Sequence, residues 1–169
     1  MKTEAGLSLG SNLGDRLKNL SDARHLIATL SGVQLVAQSP VYETEPVGVK
    51  PEYRELKFLN AVLIVESPWT AREWAHELRA IEAAMGRTRG LDRYAPRTID
   101  IDIIYLDRLR VDEAGLVIPH PRWAERRFVA QPLADVRPDL LLPGAPGTVA
   151  QVLAGLPPRE GVTLFAKEW

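Results

Sequence analysis

Cysteine is absent from the 169 residues of this chain, so disulfide bonds, thiolate metal sites and cysteine nucleophiles are excluded. Long apolar runs are also missing. No segment approaches the roughly 20 uninterrupted apolar residues that a membrane-spanning helix requires. Residues 1–10 carry no basic stretch followed by an apolar run, so we expect no signal peptide and a cytoplasmic location.

Neither sign of charge dominates the chain. Lysine and arginine number 21 and aspartate and glutamate 22, giving a formal net charge of −1. Such a chain lacks the global positive field of a dedicated nucleic-acid binder. Hydrophobic residues make up 46% and charged residues 25%, an ordinary globular balance. We expect one domain over residues 1–169, a monomer, with neither nucleic acid nor membrane as a partner.

Apolar periodicity predicts strands near residues 2–9, 33–42, 58–65 and 98–106. Helices are predicted after the turn at 10–12 and after Thr70, which has capping-box spacing to Glu73. Pro40 cannot donate to a strand ladder, so it predicts an edge or a bulge in the second strand.

A hairpin near 112–115, a short helix after Pro121 and a helix near 149–153 are predicted to follow the fourth strand. The predicted order is therefore β-α-β-β-α-β with further elements behind it. We predict an α+β fold with a ferredoxin-like βαββαβ core. Helices would pack on an antiparallel sheet, and the C-terminal elements would be additions to that core.

Asp100 and Asp102 alternate with Ile99, Ile101 and Ile103 on the predicted fourth strand. Side chains alternate faces along a strand, so both carboxylates should share one face. On a central strand they repel each other and resist desolvation, so a cation must offset them. Mg²⁺ favours one or two carboxylates together with substrate phosphates. An edge strand with solvated aspartates explains the spacing equally well.

A basic segment precedes this strand, with Arg87, Arg89, Arg93 and Arg97 balanced only by Asp92. Guanidinium groups suit phosphate oxygens because they offer a planar fork of donors. The segment could therefore hold a polyphosphate next to the aspartates. A solvated loop or a patch for nucleic acid would show the same composition.

His120 stands between Pro119 and Pro121, which restrict its backbone. Arginines follow it at positions 122, 126 and 127. This combination fits phosphate recognition, although a surface turn is the commoner setting for a single histidine. The segment 10–15 lacks the GK[ST] ending of a phosphate loop, and we interpret it as a capped strand-to-helix turn.

Phe58 and Asn60 share one face of the third predicted strand with Val62 and Ile64. An amide within an apolar run must find partners or it destabilises the fold. One solution is a bound heterocycle that stacks on Phe58 and whose polar edge is read by Asn60. The other is a hydrogen bond from Asn60 to neighbouring backbone.

Together and in this order, these segments resemble the 6-hydroxymethyl-7,8-dihydropterin pyrophosphokinase family. The Pro-Arg-x-x-Asp-x-Asp pattern of residues 96–102 is the most specific. The resemblance is carried by LGSNLGD at 9–15, SPVYETEP at 39–46, FLNA at 58–61, GR at 86–87, YAPRTIDID at 94–102, IPHP at 118–121 and RRF at 126–128.

The resemblance implies transfer of pyrophosphate from ATP to the pterin alcohol in folate biosynthesis, leaving AMP. It implies that Asp100 and Asp102 hold two Mg²⁺ ions and act in catalysis with Arg87 and Arg97. The implied pterin contacts are Thr44, Val47, Phe58, Asn60, Asp100 and Phe128. The implied ATP contacts are Arg87, Arg89, Arg97, Ile103, His120 and Arg126.

Several positions depart from the family pattern. Tyr53 could replace Phe58 as the stacking aromatic, Tyr94 stands where some members have tryptophan, and Gly115 and Val117 replace polar nucleotide contacts. The alternative function is a non-catalytic ferredoxin-like module that binds RNA or a small ligand. RNA-binding sheets usually expose aromatic side chains, whereas the fourth strand is aliphatic up to Tyr105. A different pterin-like alcohol is a second alternative.

Overall fold

The computed structural model describes residues 1–46, 49–87, 95–158 and 161–169. The strands and helices in chain order are β1 (Thr3–Ser11), α1 (Arg16–Ala28), β2 (Gln34–Gln38), β3 (Val41–Thr44), β4 (Phe58–Ser67), α2 (Ala71–Ala84), β5 (Asp100–Leu106), β6 (Val111–Glu113), β7 (Leu116–Ile118), α3 (Arg127–Val136), α4 (Val149–Gly155) and β8 (Val162–Ala166). Single 3-10 turns occupy Pro51–Tyr53 and Trp123–Glu125.

The helix starts follow local capping chemistry. At α2 the Thr70 side chain accepts the Glu73 N–H while the Glu73 side chain accepts the Thr70 N–H, which confirms the predicted capping box. At α1 the cap is Asp15, whose carboxylate accepts the Lys18 N–H at 3.1 Å. The cap therefore lies three residues beyond the predicted turn, because β1 continues through Ser11.

The main sheet has the order β5-β1-β4-β3-β8, and β2 also pairs with β4. All of these pairings are antiparallel. The predicted second strand is two strands, because Ser39 and Pro40 interrupt it where Pro40 lacks a donor. The α+β class, with helices packed on an antiparallel sheet and C-terminal additions, is confirmed; ferredoxin-like remains our interpretation of the core order.

Each face of the sheet is covered by a different helix pair. The helices α1 and α2 pack on one face, around Leu7, Leu63, Trp74 and other buried side chains. The C-terminal helices α3 and α4 cover the second face, where Leu133 of α3 and Ile64 of β4 belong to one cluster of buried side chains. No helix in the four described ranges is long and apolar enough to cross a membrane.

The strand β5 forms one end of the sheet, so of the two placements that the sequence left open for Asp100 and Asp102, the central strand is wrong and the edge strand is observed. Its outer side is still partly covered, because the His120 N–H donates to the Ile104 carbonyl at 2.8 Å. Asp102 consequently lies in a sheltered position on an edge strand. Neither a central strand nor a fully solvated edge describes it.

Candidate active site

The strand register pairs polar residues across three neighbouring strands, in two adjacent rows that run perpendicular to the strands. Gly10 of β1 pairs with Asn60 of β4 on one side and with Asp100 of β5 on the other. One step along, Ser8 pairs with Asp102. Directly paired residues project from the same face of a sheet. Asp100, Asp102 and Asn60 therefore share the second face of the sheet.

Gly10 allows the Asn60 side chain to lie close against the β1 backbone. A Cβ atom at this position would stand 2.9 Å from Oδ1 of Asn60 and 3.5 Å from Cδ1 of Phe58. Any larger residue would force the Asn60 amide to move. Since neighbouring strands lie about 4.8 Å apart, the amide and the carboxylate are separated by about two strand spacings. A flat bicyclic ring above Gly10 could reach both groups.

The Asn60 amide has a side-chain partner. Its Nδ2 donates to Thr44 Oγ1 at 2.6 Å, and the exposed fractions of the two residues are 5% and 2%. The partner is therefore a threonine hydroxyl, and the alternative of a neighbouring backbone group is not needed. This bond fixes the amide so that Oδ1 lies against Gly10.

Asp100 is held by two arginines. Arg87 Nη1 lies 2.6 Å from Oδ1, and Arg97 Nη1 lies 3.3 Å from Oδ2. Arg87 also forms a short ion pair with Glu82, which is only 3% exposed. The guanidinium of Arg87 thus lies between two carboxylates, and both favour its charged form.

Glu82 and Asn12 have structural roles at this site that were not predicted from the sequence. Glu82 accepts the Ile101 N–H at 3.0 Å, which ties α2 to β5. Glu82 could have been identified from the sequence, because a charged residue four positions after Leu78 falls on the apolar stripe of α2. Asn12 accepts the Arg97 N–H at 2.8 Å and donates its own N–H to the Arg97 carbonyl at 3.2 Å. These bonds fix Arg97 beside the end of β1.

Asp102 is the most perturbed acid of the site. Burial, followed by the negative charges of Asp100 and Glu82, raises its pKa to about 7, although Arg87 and Arg126 oppose the shift. The charged form of this carboxylate is therefore disfavoured, chiefly by burial, and the nearby arginines do not fully offset the effect. Carboxylate oxygens are ligands of the kind that Mg²⁺ prefers.

His120 is uncharged at neutral pH. Burial, together with the positive charges of Arg126 and Arg122, lowers its pKa to about 4, against the opposing effect of Asp100. Its Nδ1 accepts the Arg122 N–H at 3.1 Å. A neutral imidazole has one donor and one acceptor, so the proton is on Nε2. His120 can therefore donate a hydrogen bond to a phosphate oxygen without adding charge.

Phe58 and Phe128 each lie beside an arginine. The Arg97 guanidinium carbon is 5.8 Å from the Phe58 ring centre, and that of Arg126 is 5.5 Å from the Phe128 ring centre. Both rings are partly exposed. Phe58 is the first residue of β4, and Phe128 is the second residue of α3, which packs on the same face. Each aromatic ring is thus accompanied by an arginine cation.

An open cleft of about 360 Å³ adjoins Asp102 on the side of α2. Its volume lies within the range of about 300–1,000 Å³ that is usual for small-molecule sites. The cleft is bounded by charged groups at Arg79 and Glu82, and Arg79 donates to the Gly115 carbonyl at 3.3 Å. The lining includes Leu78, Ile101, Asp102, Ile103, Gly115, Leu116, Val117 and His120.

Some predicted contacts are not brought into this arrangement. Val47, Arg89 and Tyr94 lie outside the described residues, so their placement stays a prediction. Tyr53 ends a 3-10 turn within the loop, five residues before β4 begins. Within the described ranges, no group of three or more His, Asp or Glu side chains could hold a metal ion by itself. The Asp pair would need ligands from a substrate to complete a metal's coordination.

Comparison with known proteins identifies relatives of this chain. The model of a family described as 7,8-dihydro-6-hydroxymethylpterin-pyrophosphokinase (HPPK) matches residues 6–138. The chain is 39% identical over 156 residues to the 2-amino-4-hydroxy-6-hydroxymethyldihydropteridine pyrophosphokinase of Methylorubrum extorquens, covering 92% of this chain and 95% of that protein. Identity to the Mycobacterium bovis protein of the same name is 39% over 177 residues, covering 96% and 90%.

Solved structures provide a comparison of the fold. The wild-type HPPK-DHPS of Plasmodium falciparum, crystallised with pteroate, superposes with a TM-score of 0.71 at 14% identity. The match covers 91% of this chain and 42% of the Plasmodium chain. The chain therefore spans less than half of that longer protein, and at this identity the likeness supports the fold alone.

Proposed function

The chain belongs to the 7,8-dihydro-6-hydroxymethylpterin-pyrophosphokinase family, and from that premise we propose how its residues carry out the reaction. The enzyme transfers the pyrophosphoryl group of ATP to 6-hydroxymethyl-7,8-dihydropterin in folate synthesis, and AMP is the second product. ATP is thus a co-substrate. The assignment of individual residues below is our proposal.

The pterin lies over Gly10 in this proposal. Phe58 and Phe128 contact its two faces: both rings are partly exposed, Phe58 on the sheet strand β4 and Phe128 on α3, which packs on the second face of the sheet. The Asn60 amide, oriented by Thr44, bonds to the polar edge of the ring. Stacking between a heterocycle and an aromatic side chain contributes about 1–3 kcal/mol.

The nucleotide occupies the cleft beside Asp102 and extends its phosphates toward Asp100. Ile103 lines the base end of the cleft. Arg87, Arg97 and Arg126 bind phosphate oxygens, and His120 donates from Nε2. The position of the arginines supports this assignment, because Arg87 and Arg97 already contact Asp100, the carboxylate that the phosphates would approach.

Asp100 and Asp102 fit a magnesium site. The pair offers hard oxygen ligands on one face, and the raised pKa of Asp102 marks a position where negative charge lacks compensation. We propose that they hold two Mg²⁺ ions with the ATP phosphates. When bound, the ions neutralise the phosphate charge that increases as the β-phosphorus is attacked.

The chain's residues position the reactants and contribute little covalent chemistry. The hydroxymethyl oxygen forms a bond to the β-phosphorus, the bond to the bridging oxygen of the α-phosphate breaks, and AMP leaves with that electron pair. The hydroxyl proton is released as the new bond forms, and Asp100, in the same row as Asn60, is the nearest candidate acceptor. Arg87 and Arg97 stabilise the developing charge.

The observation that supports this proposal most strongly is the row Asp100–Gly10–Asn60, with Asp102 one step along. The test uses purified protein with ATP, Mg²⁺ and the pterin, and the products are separated by chromatography. We expect AMP and pterin diphosphate in equal amounts, and no AMP when the pterin is left out. Formation of ADP and pterin monophosphate would show attack at the γ-phosphorus and refute the proposal.

A further inference from the structure

The last nine residues, 161–169, lie next to β3, the strand that carries the proposed pterin contact Thr44. The family match ends at residue 138, so it assigns nothing to them. The strand β8 pairs antiparallel with β3, with Thr44 opposite Val162 and Tyr42 opposite Leu164. Since β3 has only four residues, this pairing gives it partners on both sides and keeps it from being a free edge.

Gly161 contacts the chain next to the pterin contact Thr44. The Glu45 N–H donates to the Gly161 carbonyl at 3.2 Å. Gly161 has a φ of +56°, and a Cβ atom there would overlap Cγ of Glu45. The close approach therefore requires glycine for two independent reasons. A side chain at 161 would displace Glu45 and, through it, Thr44.

Trp169 secures the other end of the segment. Its indole N–H donates to the Ser39 carbonyl at 2.7 Å, and its own carbonyl accepts from Gln38 Nε2 at 3.1 Å. The Arg24 guanidinium carbon lies 4.6 Å from the centre of the Trp169 ring. Ser39 in turn accepts the Val62 N–H at 2.8 Å, so this contact reaches the strand that carries Asn60. Both ends of β3 are thus attached to the C-terminal segment.

We propose that residues 161–169 are a positioning element for pterin recognition, with Gly161 as its decisive residue. They hold β3 so that Thr44 Oγ1 stays at the Asn60 amide, 2.6 Å away. This inference rests on the proposed function, because it concerns how the pterin contact is oriented. The nucleotide cleft lies at β5, and the strands β3, β4 and β1 separate it from β8, so ATP binding should not depend on this segment.

The test compares Gly161→Ala with Gly144→Ala. Gly144 also has a positive φ, +75°, so alanine there imposes similar backbone strain away from the pterin side. In Gly161→Ala we expect the KM for pterin to rise about tenfold, equivalent to about 1.4 kcal/mol, while the KM for ATP stays within about twofold. In Gly144→Ala both KM values should stay within about twofold, whatever the loss of thermal stability.

A second substitution tests the contact itself. Glu45→Ala removes the Cγ atom that the new methyl group would overlap, so Gly161→Ala/Glu45→Ala should recover most of the pterin affinity. If Gly161→Ala does not fold, Trp169→Phe, which removes the indole N–H bond to Ser39 and leaves a smaller ring beside Arg24, should raise the pterin KM about threefold. Unchanged pterin KM values, or equal rises for pterin and ATP, in an otherwise active enzyme would refute the inference. Wild-type protein that makes no AMP would instead refute the proposed function.

Discussion

Replacing Asp102 with asparagine should lower kcat by at least about 1,000-fold, equivalent to about 4 kcal/mol in the barrier. The substitution keeps the shape of the side chain and removes the charge that would bind a cation. It should not unfold the protein, because the charged form of Asp102 is already disfavoured by burial and by Asp100 and Glu82. The measurement is steady-state kinetics with thermal unfolding at pH 8, where Tm should be no lower than that of the wild type.

Asp139→Asn is the matched control, since Asp139 is exposed between α3 and α4. Its kcat should stay within about twofold of the wild type, as expected for a surface substitution. Turnover by Asp102→Asn at the wild-type rate would contradict the proposed role of this carboxylate in binding the cation.

The same residue should make nucleotide binding depend on pH. A pKa of about 7 means that Asp102 is mostly protonated below pH 7, and the proton must leave before a cation binds. Affinity for Mg²⁺ with a non-hydrolysable ATP analogue should therefore fall about tenfold per pH unit below 7 and level off above it. Calorimetry in two buffers at pH 6.5 should detect the released proton. Asp102→Asn should lose this dependence.

Replacing Phe128 with alanine should weaken pterin binding by about 10- to 100-fold, corresponding to about 1.4–2.8 kcal/mol of lost stacking. ATP binding should change by no more than about threefold, because Arg126 and the cleft beside Asp102 remain. Calorimetric titration of each ligand measures both effects. Equal losses for pterin and ATP would contradict the placement of the pterin against α3.

Three further substitutions complete this experiment. Leu141→Ala is the control, since this apolar residue is 52% exposed between α3 and α4 and takes no part in the proposed site. Phe58→Ala and Tyr53→Ala decide which aromatic contacts the second face of the ring. We expect the large loss in Phe58→Ala, because Phe58 lies beside Gly10 and two residues from Asn60.

Which site residues share a face of the sheet could be predicted from the sequence, because side chains alternate between the two faces along each single strand. Asp100 and Asp102 share a face, and Phe58 and Asn60 share a face, wherever their strands lie. The position of β5 at the sheet edge could not be predicted, since strand order depends on long-range pairing. Glu82 was missed for a related reason: its partners, Arg87 and the Ile101 N–H, are supplied by segments that follow it in the chain.

The C-terminal strand β8 was also missed. Its residues alternate weakly, and three of the five are exposed, so no apolar face marks it in the sequence. Its pairing partner β3 is more than a hundred residues earlier in the chain. Pairing of this kind is visible only when the sheet is assembled.

Tyr105 bears on the alternative of an RNA-binding sheet. It is only 1% exposed, and its hydroxyl donates to Glu4 at 2.5 Å. Arg137 binds the same carboxylate at 3.0 Å, which attaches the end of α3 to β1. The aromatic of β5 is therefore part of the core and is not available to stack on bases. At this position the sheet therefore lacks the exposed aromatic side chain that an RNA-binding sheet requires.

The central claim is that the paired carboxylates of β5 present ATP to the pterin through bound magnesium. A crystal structure with Mg²⁺, a non-hydrolysable ATP analogue and the pterin tests it most directly. We expect oxygens of Asp100 and Asp102 at about 2.1 Å from magnesium ions that also contact the phosphates. Well-ordered nucleotide with both carboxylates directed away from any metal would contradict the claim.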